Sequence, residues 1–300
     1  MKEKRIWKSN FGSILSKQGT SSLLAFNSSY TGKPIEFNDC LYNDLLPYEL
    51  NSSPVSILMG DDNLWIAASM LSRISDTANN IVVMEKEFPV GIIGYKEIIR
   101  SILKNPTNDV FNHTTAKKIM NREFYLDNRK VKLKTILQQM NKTTKTFSII
   151  QNSQYDFSAA SIREILEIGS MCNSEIIASE EPSRRLVKIS RDNSVKEVLD
   201  LLSKNEVEFV ILDNDSLILD ARTILEKITT DLNFLEDEDN FLNLNASIFQ
   251  FHTPKLIPEK LSFAELCKVM LDMRYPYLAT KNRIWTPTDV LDVLTKGIEK

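Results

Sequence analysis

Thr286 and Asp289 stand three residues apart in the run Ile284-Trp285-Thr286-Pro287-Thr288-Asp289-Val290-Leu291, where a short apolar strand end gives way to an apolar helix start. A hydroxyl and a carboxylate one helical turn apart can both face a sugar. The free N–H groups and positive dipole end of that turn favour phosphate. The same residues also spell a helix cap, with Thr286 as N-cap, Pro287 as first helical residue and Asp289 returning a capping-box-like bond. The two roles are compatible, and these residues alone leave both open.

Other chemistry lacks its residues. His113 and His252 are the two histidines and lie far apart in the chain, which opposes a histidine-based triad or zinc site. Beside the candidate pocket, His252 reads as a surface or packing histidine. Thr31-Gly32-Lys33-Pro34 lacks the upstream glycine of a phosphate-binding loop and has proline at the Ser/Thr position. Eight glycines form no Gly-x-Gly-x-x-Gly, and Cys40, Cys172 and Cys267 are spaced for neither a metal clip nor a disulfide framework. With no nucleophile–base pair or metal cluster in view, the expectation is a protein that is not an enzyme.

The elements that must position Thr286 and Asp289 occur more than once. Weaker copies of their strand-to-helix junction are Gly91-Ile92-Ile93-Gly94-Tyr95-Lys96-Glu97, Ala159-Ala160-Ser161-Ile162-Arg163-Glu164 and Ile218-Leu219-Asp220-Ala221-Arg222-Thr223. The repeat runs at roughly 65-residue spacing. Its third copy is the clearest. Leu186 to Ile189 reads as a strand, Ser194 as a helix cap, and Val195, Val198, Leu199 and Leu202 as the apolar face of a helix. Two strands follow across the polar turn Asn214-Asp215-Ser216, then a closing helix. Phe263, Leu266, Cys267 and Met270 repeat the helix face in the fourth copy, Leu133, Ile136, Leu137 and Met140 in the second, and Leu64, Ala67, Ala68 and Leu71 in the first.

A β-α-β-β-α unit this small cannot close its own core, so units should pack in pairs. The expected fold is α+β (mixed α/β), with a first pair over 46–170 (units about 50–105 and 115–168) and a second over 171–300 (units about 183–229 and 250–298). The polar stretch from Gly169 to Pro182 divides the pairs. An acidic run, Glu236-Asp237-Glu238-Asp239, reads as a solvated loop between copies three and four. Composition agrees with packed cores: 42% of residues are hydrophobic, and the net charge of −3 gives no reason to expect general affinity for nucleic acid or anionic lipid. No apolar run approaches the roughly 20 residues of a spanning helix. A soluble, cytoplasmic protein with reduced thiols, not attached to a membrane, is expected.

On Pro89-Val90-Gly91-Ile92-Ile93, Ala116-Lys117-Lys118-Ile119-Met120, Ser194-Val195-Lys196-Glu197-Val198 and Thr286-Pro287-Thr288-Asp289-Val290-Leu291, the units resemble cystathionine-β-synthase (CBS) domains, over roughly residues 50 to 298 and least in copy two. Four such units look like the gamma regulatory subunit of AMP-activated protein kinase, or like stand-alone prokaryotic four-unit proteins. The resemblance implies pairs that bind adenine nucleotides or related ligands in the cleft between units, with Thr/Ser-x-x-Asp as the ribose and phosphate contact. Thr286 and Asp289 match in full. Gly94/Glu97 lacks the hydroxyl, Ser161/Glu164 has a longer acid, and Asp220/Thr223 reverses the order. That pattern implies one competent site in the second pair, centred on copy four, with the first pair structural. The rest of its pocket would come from Thr253 and Lys255 on the leading strand, from Arg274, and from Asp220, a basic residue offsetting phosphate charge.

The expected function is thus a non-catalytic regulatory sensor for AMP, ADP, ATP or S-adenosylmethionine, with no required cofactor. It would be a homo-oligomer, most simply a dimer, that biases a protein partner the sequence does not name. Three degenerate junctions motivate an alternative, a ligand-free interaction scaffold. Residues 1–45 read as an N-terminal extension too short to complete a winged-helix fold, and transcriptional control through them is a further alternative.

Overall fold

The computed structural model describes residues 26–27, 34–35, 40–45, 55–73, 80–143, 147–172, 176–179, 186–213, 216–235, 241–281 and 283–299. Most of the N-terminal extension, the acidic run at 236–239 and Asn214-Asp215 lie outside them. A two-residue ladder joins β1 (Phe26–Asn27) to β2 (Pro34–Ile35), and a short α1 (Tyr42–Leu45) follows.

Four units then repeat one pattern. Unit 1 contains β3 (Ile57–Met59), α2 (Leu64–Arg73), β4 (Asn80–Glu85), β5 (Phe88–Gly94) and α3 (Tyr95–Lys104). The short helices α4 (Asn108–His113) and α5 (Ala116–Ile119) lead to unit 2. It contains β6 (Leu126–Asn128), α6 (Leu133–Thr143), β7 (Phe147–Gln151), β8 (Phe157–Ser161) and α7 (Ile162–Met171). Unit 3 is β9 (Lys188–Ile189), α8 (Val195–Asn205), β10 (Phe209–Leu212), β11 (Ile218–Asp220) and α9 (Ala221–Thr230). Unit 4 is β12 (Lys255–Leu256), α10 (Phe263–Leu271), β13 (Leu278–Ala279), β14 (Ile284–Trp285) and α11 (Pro287–Glu299). In each unit the first strand runs parallel to the second, which pairs antiparallel with the third.

A helix start leaves its first N–H groups without an intrahelical acceptor. In every unit the segment leading into its neighbour supplies one. Leu64 N donates to Thr114 O (2.8 Å), Leu133 N to Cys40 O (3.1 Å), Val195 N to Leu244 O (2.8 Å) and Phe263 N to Ile176 O (3.0 Å). Short antiparallel bridges pin the same straps: Asn63 with Thr115, Lys132 with Leu41, Ser194 with Asn245, and Ser262 with Ile177. The strap before unit 1 therefore lies on unit 2 and the reverse, and units 3 and 4 exchange straps likewise. The partners are fixed by backbone bonds.

Sheets and helices pack in different directions. Val82, Met84 and Ile92 of unit 1 meet Phe147, Ile149 and Phe157 of unit 2, and Ile211 and Ile218 of unit 3 meet Ala279 and Ile284 of unit 4. The helices cross between pairs instead. α2 packs on α9 and α3 on α8, joining units 1 and 3, while α7 packs on α10 and α11, joining units 2 and 4. Leu64, Ala67, Leu71, Ile98, Val195, Leu199, Ile224 and Ile228 belong to the first helical core, and Leu133, Ile165, Leu166, Phe263, Leu266 and Trp285 to the second. Each fully buried Leu, Ile or Phe contributes about 1.5–3 kcal/mol. Among the described residues, no helix is long and apolar enough to cross a membrane.

Candidate functional site

The four junctions share one hydrogen-bond plan. Thr286 N (2.8 Å) and Thr286 Oγ1 (2.7 Å) both donate to Asp289 Oδ2. Gly94 N donates to Glu97 Oε2 (2.9 Å), and Ser161 N to Glu164 Oε2 (2.9 Å), with the Ser161 hydroxyl on the same oxygen. The third junction swaps the roles: Thr223 N (2.8 Å) and Thr223 Oγ1 (2.7 Å) donate to Asp220 Oδ1, the N-cap carboxylate. Thr286, Asp289, Asp220 and Thr223 are all buried. An acid at either end satisfies the same turn, so reversed order does not lose the cap.

What distinguishes the third junction is its company. β11 is extended by a bridge from Ile218 to His252, on the strap leading into unit 4. That brings His252 Nε2 within 2.7 Å of Thr223 Oγ1. The threonine's one proton goes to Asp220, so the imidazole donates and its Nε2 carries hydrogen. Tyr277 on unit 4 donates its hydroxyl to Asp220 Oδ2 (3.1 Å). His252 stacks on Tyr275, centroids 3.7 Å apart, and Tyr275 donates to Glu226 Oε2 (3.0 Å). Glu226 also takes a hydrogen bond from the Arg274 guanidinium.

Burial, more than the opposing carboxylates of Asp220 and Glu226, holds the His252 pKa below its usual value. Burial likewise pushes the Tyr275 and Tyr277 phenols up, reinforced by Glu226 and Asp220 respectively. Near neutrality the cluster therefore holds a neutral imidazole and two protonated phenols.

Arg222 ties this cluster to the other pair. It is buried, and its Nε donates to Ser72 O at the end of α2 (3.3 Å) and its Nη1 to Arg274 O (3.2 Å). Its guanidinium lies 5.7 Å from the centre of the Tyr275 ring. Beside it opens a cleft of about 280 Å³ lined by Ser72, Arg73, Glu226, Thr229, Thr230 and Arg274. Its walls come from units 1, 3 and 4, and it offers two guanidinium groups beside the Glu226 carboxylate.

Of the six residues expected from sequence, Asp220 and Arg274 come together in this cluster. Thr286 and Asp289 form a separate pair at the unit 4 junction, where Trp285 is fully buried, donates Nε1 to Ala178 O (2.7 Å) and carries the Arg283 guanidinium 3.9 Å over its ring. Thr253 is exposed on the segment leading into β12 and Lys255 is exposed in β12 itself, where β13 separates it from Trp285 in the sheet. His252, expected as a surface or packing histidine, stacks on Tyr275 and bonds Thr223, which joins the cluster despite its reversed order. Sequence reasoning missed Arg222, Glu226, Tyr275 and Tyr277. The run Arg274-Tyr275-Pro276-Tyr277 was the available signal, three groups suited to ligand contact just before a strand. Among the described residues, no three His, Cys, Asp or Glu side chains are grouped to hold a metal ion.

Four three-stranded units in two strap-exchanged pairs give this chain the fold of four-repeat CBS-domain proteins. A Methanocaldococcus jannaschii protein proposed as an archaeal homolog of g-AMPK superposes with a TM-score of 0.70 at 13% identity, over 85% of this chain and 99% of that one. An uncharacterized conserved protein from Pyrococcus horikoshii gives 0.47 at 14% identity, over 81% of this chain and 96% of that one. A CBS-domain containing protein from Agrobacterium tumefaciens gives 0.36 at 13%, over 44% and 94%. No protein-family model and no curated protein matches the chain.

Proposed function

We infer that the chain is a non-catalytic regulatory protein whose second pair binds a phosphate-bearing adenine nucleotide or an adenosyl compound. Support comes from the cleft along the C-terminal half of α9, the helix that starts at the third junction. Arg73 and Arg274 offer charge to a phosphate or carboxylate, Arg274 from its bond to Glu226, and Tyr275, which donates to Glu226, stands alongside for a base. Because Ser72 and Arg73 belong to the first pair and the other lining residues to the second, a ligand held here favours one packing of the pairs over another. Thr286 and Asp289 are the second junction at which a ribose could be met.

Titration calorimetry of the protein with AMP, ADP, ATP and S-adenosylmethionine tests this. Arg274→Ala is expected to weaken binding at least tenfold, about 1.4 kcal/mol, while Asp289→Ala leaves it intact. Loss with Asp289→Ala alone would move the site to the fourth junction. No heat with any of the four would favour the ligand-free scaffold, whose support is that all four junctions satisfy their own hydrogen bonds.

A further inference from the structure

Large apolar side chains on the outer surface are unevenly shared. Among the described residues six are exposed, and five of them, Ile57, Met59, Phe88, Leu126 and Tyr155, belong to units 1 and 2; the sixth is Leu256. Scattered exposed apolar residues need no explanation, but a concentration of them does.

Topology gathers these five. Phe88 opens β5 at the tip of the β4–β5 hairpin, and Tyr155 sits in the turn between β7 and β8. Their rings meet edge to face with centroids 5.7 Å apart, so the two hairpin tips touch. Met59 lies beside Met84, two residues before the tip of unit 1, and Leu126 beside Ile149 on the sheet of unit 2. Met84 and Ile149 belong to the apolar layer between the two sheets, so Met59 and Leu126 prolong that layer to the surface. β3 and β6, which carry Ile57, Met59 and Leu126, are also the edge strands of their sheets. Edge strands with outward apolar residues are surfaces that proteins normally cover or blunt with charge.

Charge indicates the kind of cover. Around the patch the exposed charged groups include Lys86, Arg129 and Lys130 against Asp61, Glu87 and Asp156, so both signs are present. A one-signed polymer or lipid surface would favour a one-signed patch. A patch of both signs suits its own image, since a two-fold axis through it sets the cations of one copy against the anions of the other. Phe and Tyr present about 150–250 Å² each when fully exposed, so five half-exposed large side chains offer on the order of 500 Å². That is the apolar centre of an interface burying about 800 Å² per partner. We propose that the joined hairpin tips of units 1 and 2, centred on Phe88 and Tyr155, are an isologous docking surface for a second copy of this chain.

Sedimentation velocity of the full chain over a roughly hundredfold range of concentration tests it, because a dimer obeys mass action. A concentration-dependent dimer is expected, with the dissociation constant raised at least tenfold in Phe88→Glu/Tyr155→Glu and unchanged in Leu256→Glu. A monomer throughout would overturn the proposal, and so would a dimer that the double variant keeps or that Leu256→Glu also weakens. Circular dichroism and melting of each variant establish that it is folded. A second measurement uses the burial of all three native cysteines. In Tyr155→Cys the one exposed thiol lies near the axis and meets its own copy, so a short bismaleimide should join two chains. Modification without cross-linking would count against the surface.

Discussion

Thr223 and Thr286 make the same bonds from opposite ends of a four-residue motif, so the acid and hydroxyl of these turns are interchangeable in the cap. Their surroundings are not. His252, neutral and donating to Thr223, makes the third junction sensitive to acid. Its folded pKa lies below the ordinary histidine value of about 6.5, so as pH falls through that value the unfolded chain takes the proton more readily. The stability that His252 contributes is present above about pH 6.5 and is lost on acidification through the window below. The melting temperature of the wild type is therefore expected to fall more between neutral pH and about pH 5 than that of His252→Gln. Parallel pH profiles would contradict this. Thr286 and Asp289 were legible because a hydroxyl, a proline and an acid at fixed spacing mark a helix start. The cluster around Asp220 was not, because its members come from positions up to 57 residues apart. The bridge between Ile218 and His252 and the packing of Ile218 with Ala279 and Ile284 bring them within reach.

Secondary elements succeed here on local chemistry at their ends. Ser194 with Glu197 and Ser262 with Glu265 form full capping boxes on α8 and α10, satisfying donors that the helices leave free. Ser262→Ala is expected to cost about 1 kcal/mol, read from the shift in denaturant midpoint at unchanged slope. Gly91 is constrained by approach rather than by backbone angle. A Cβ there would lie 2.6 Å from Met120 Sδ and 3.0 Å from Asn121 O, because the strap toward unit 2 runs against β5. Gly91→Ala should destabilise by about 1–3 kcal/mol in the same measurement, and a neutral result would show that the strap can retreat. Helices were the most readable elements, since their apolar residues recur with a helical period. Strands were less so. Unit 2 resembles the repeat least, yet β7 and β8 pair over five positions, while unit 4, which reads step by step, has strands of two residues. Strands buried on both faces show no alternation to read.

Across the whole molecule, sheets join units 1 to 2 and 3 to 4 while helices join 1 to 3 and 2 to 4. No unit can leave without opening two interfaces. A single cooperative thermal transition is expected, with equal calorimetric and van't Hoff enthalpies; two resolved transitions would mean that the pairs melt separately. Pairing of neighbouring units was legible from unit size and from the polar linker. The crosswise helix packing was not, because all four leading helices present similar apolar faces and none names its partner. Ser72 of α2 meets Thr229 of α9 across 157 residues of chain. A ribosome adding about 5–20 residues each second therefore takes roughly 10–30 s to deliver the second helix after the first. Throughout that interval the apolar face of α2 has emerged and its mate has not. Until α9 arrives, α3 and α4 are the helices at hand to cover α2, so a newborn copy exposes an apolar face that the finished one hides.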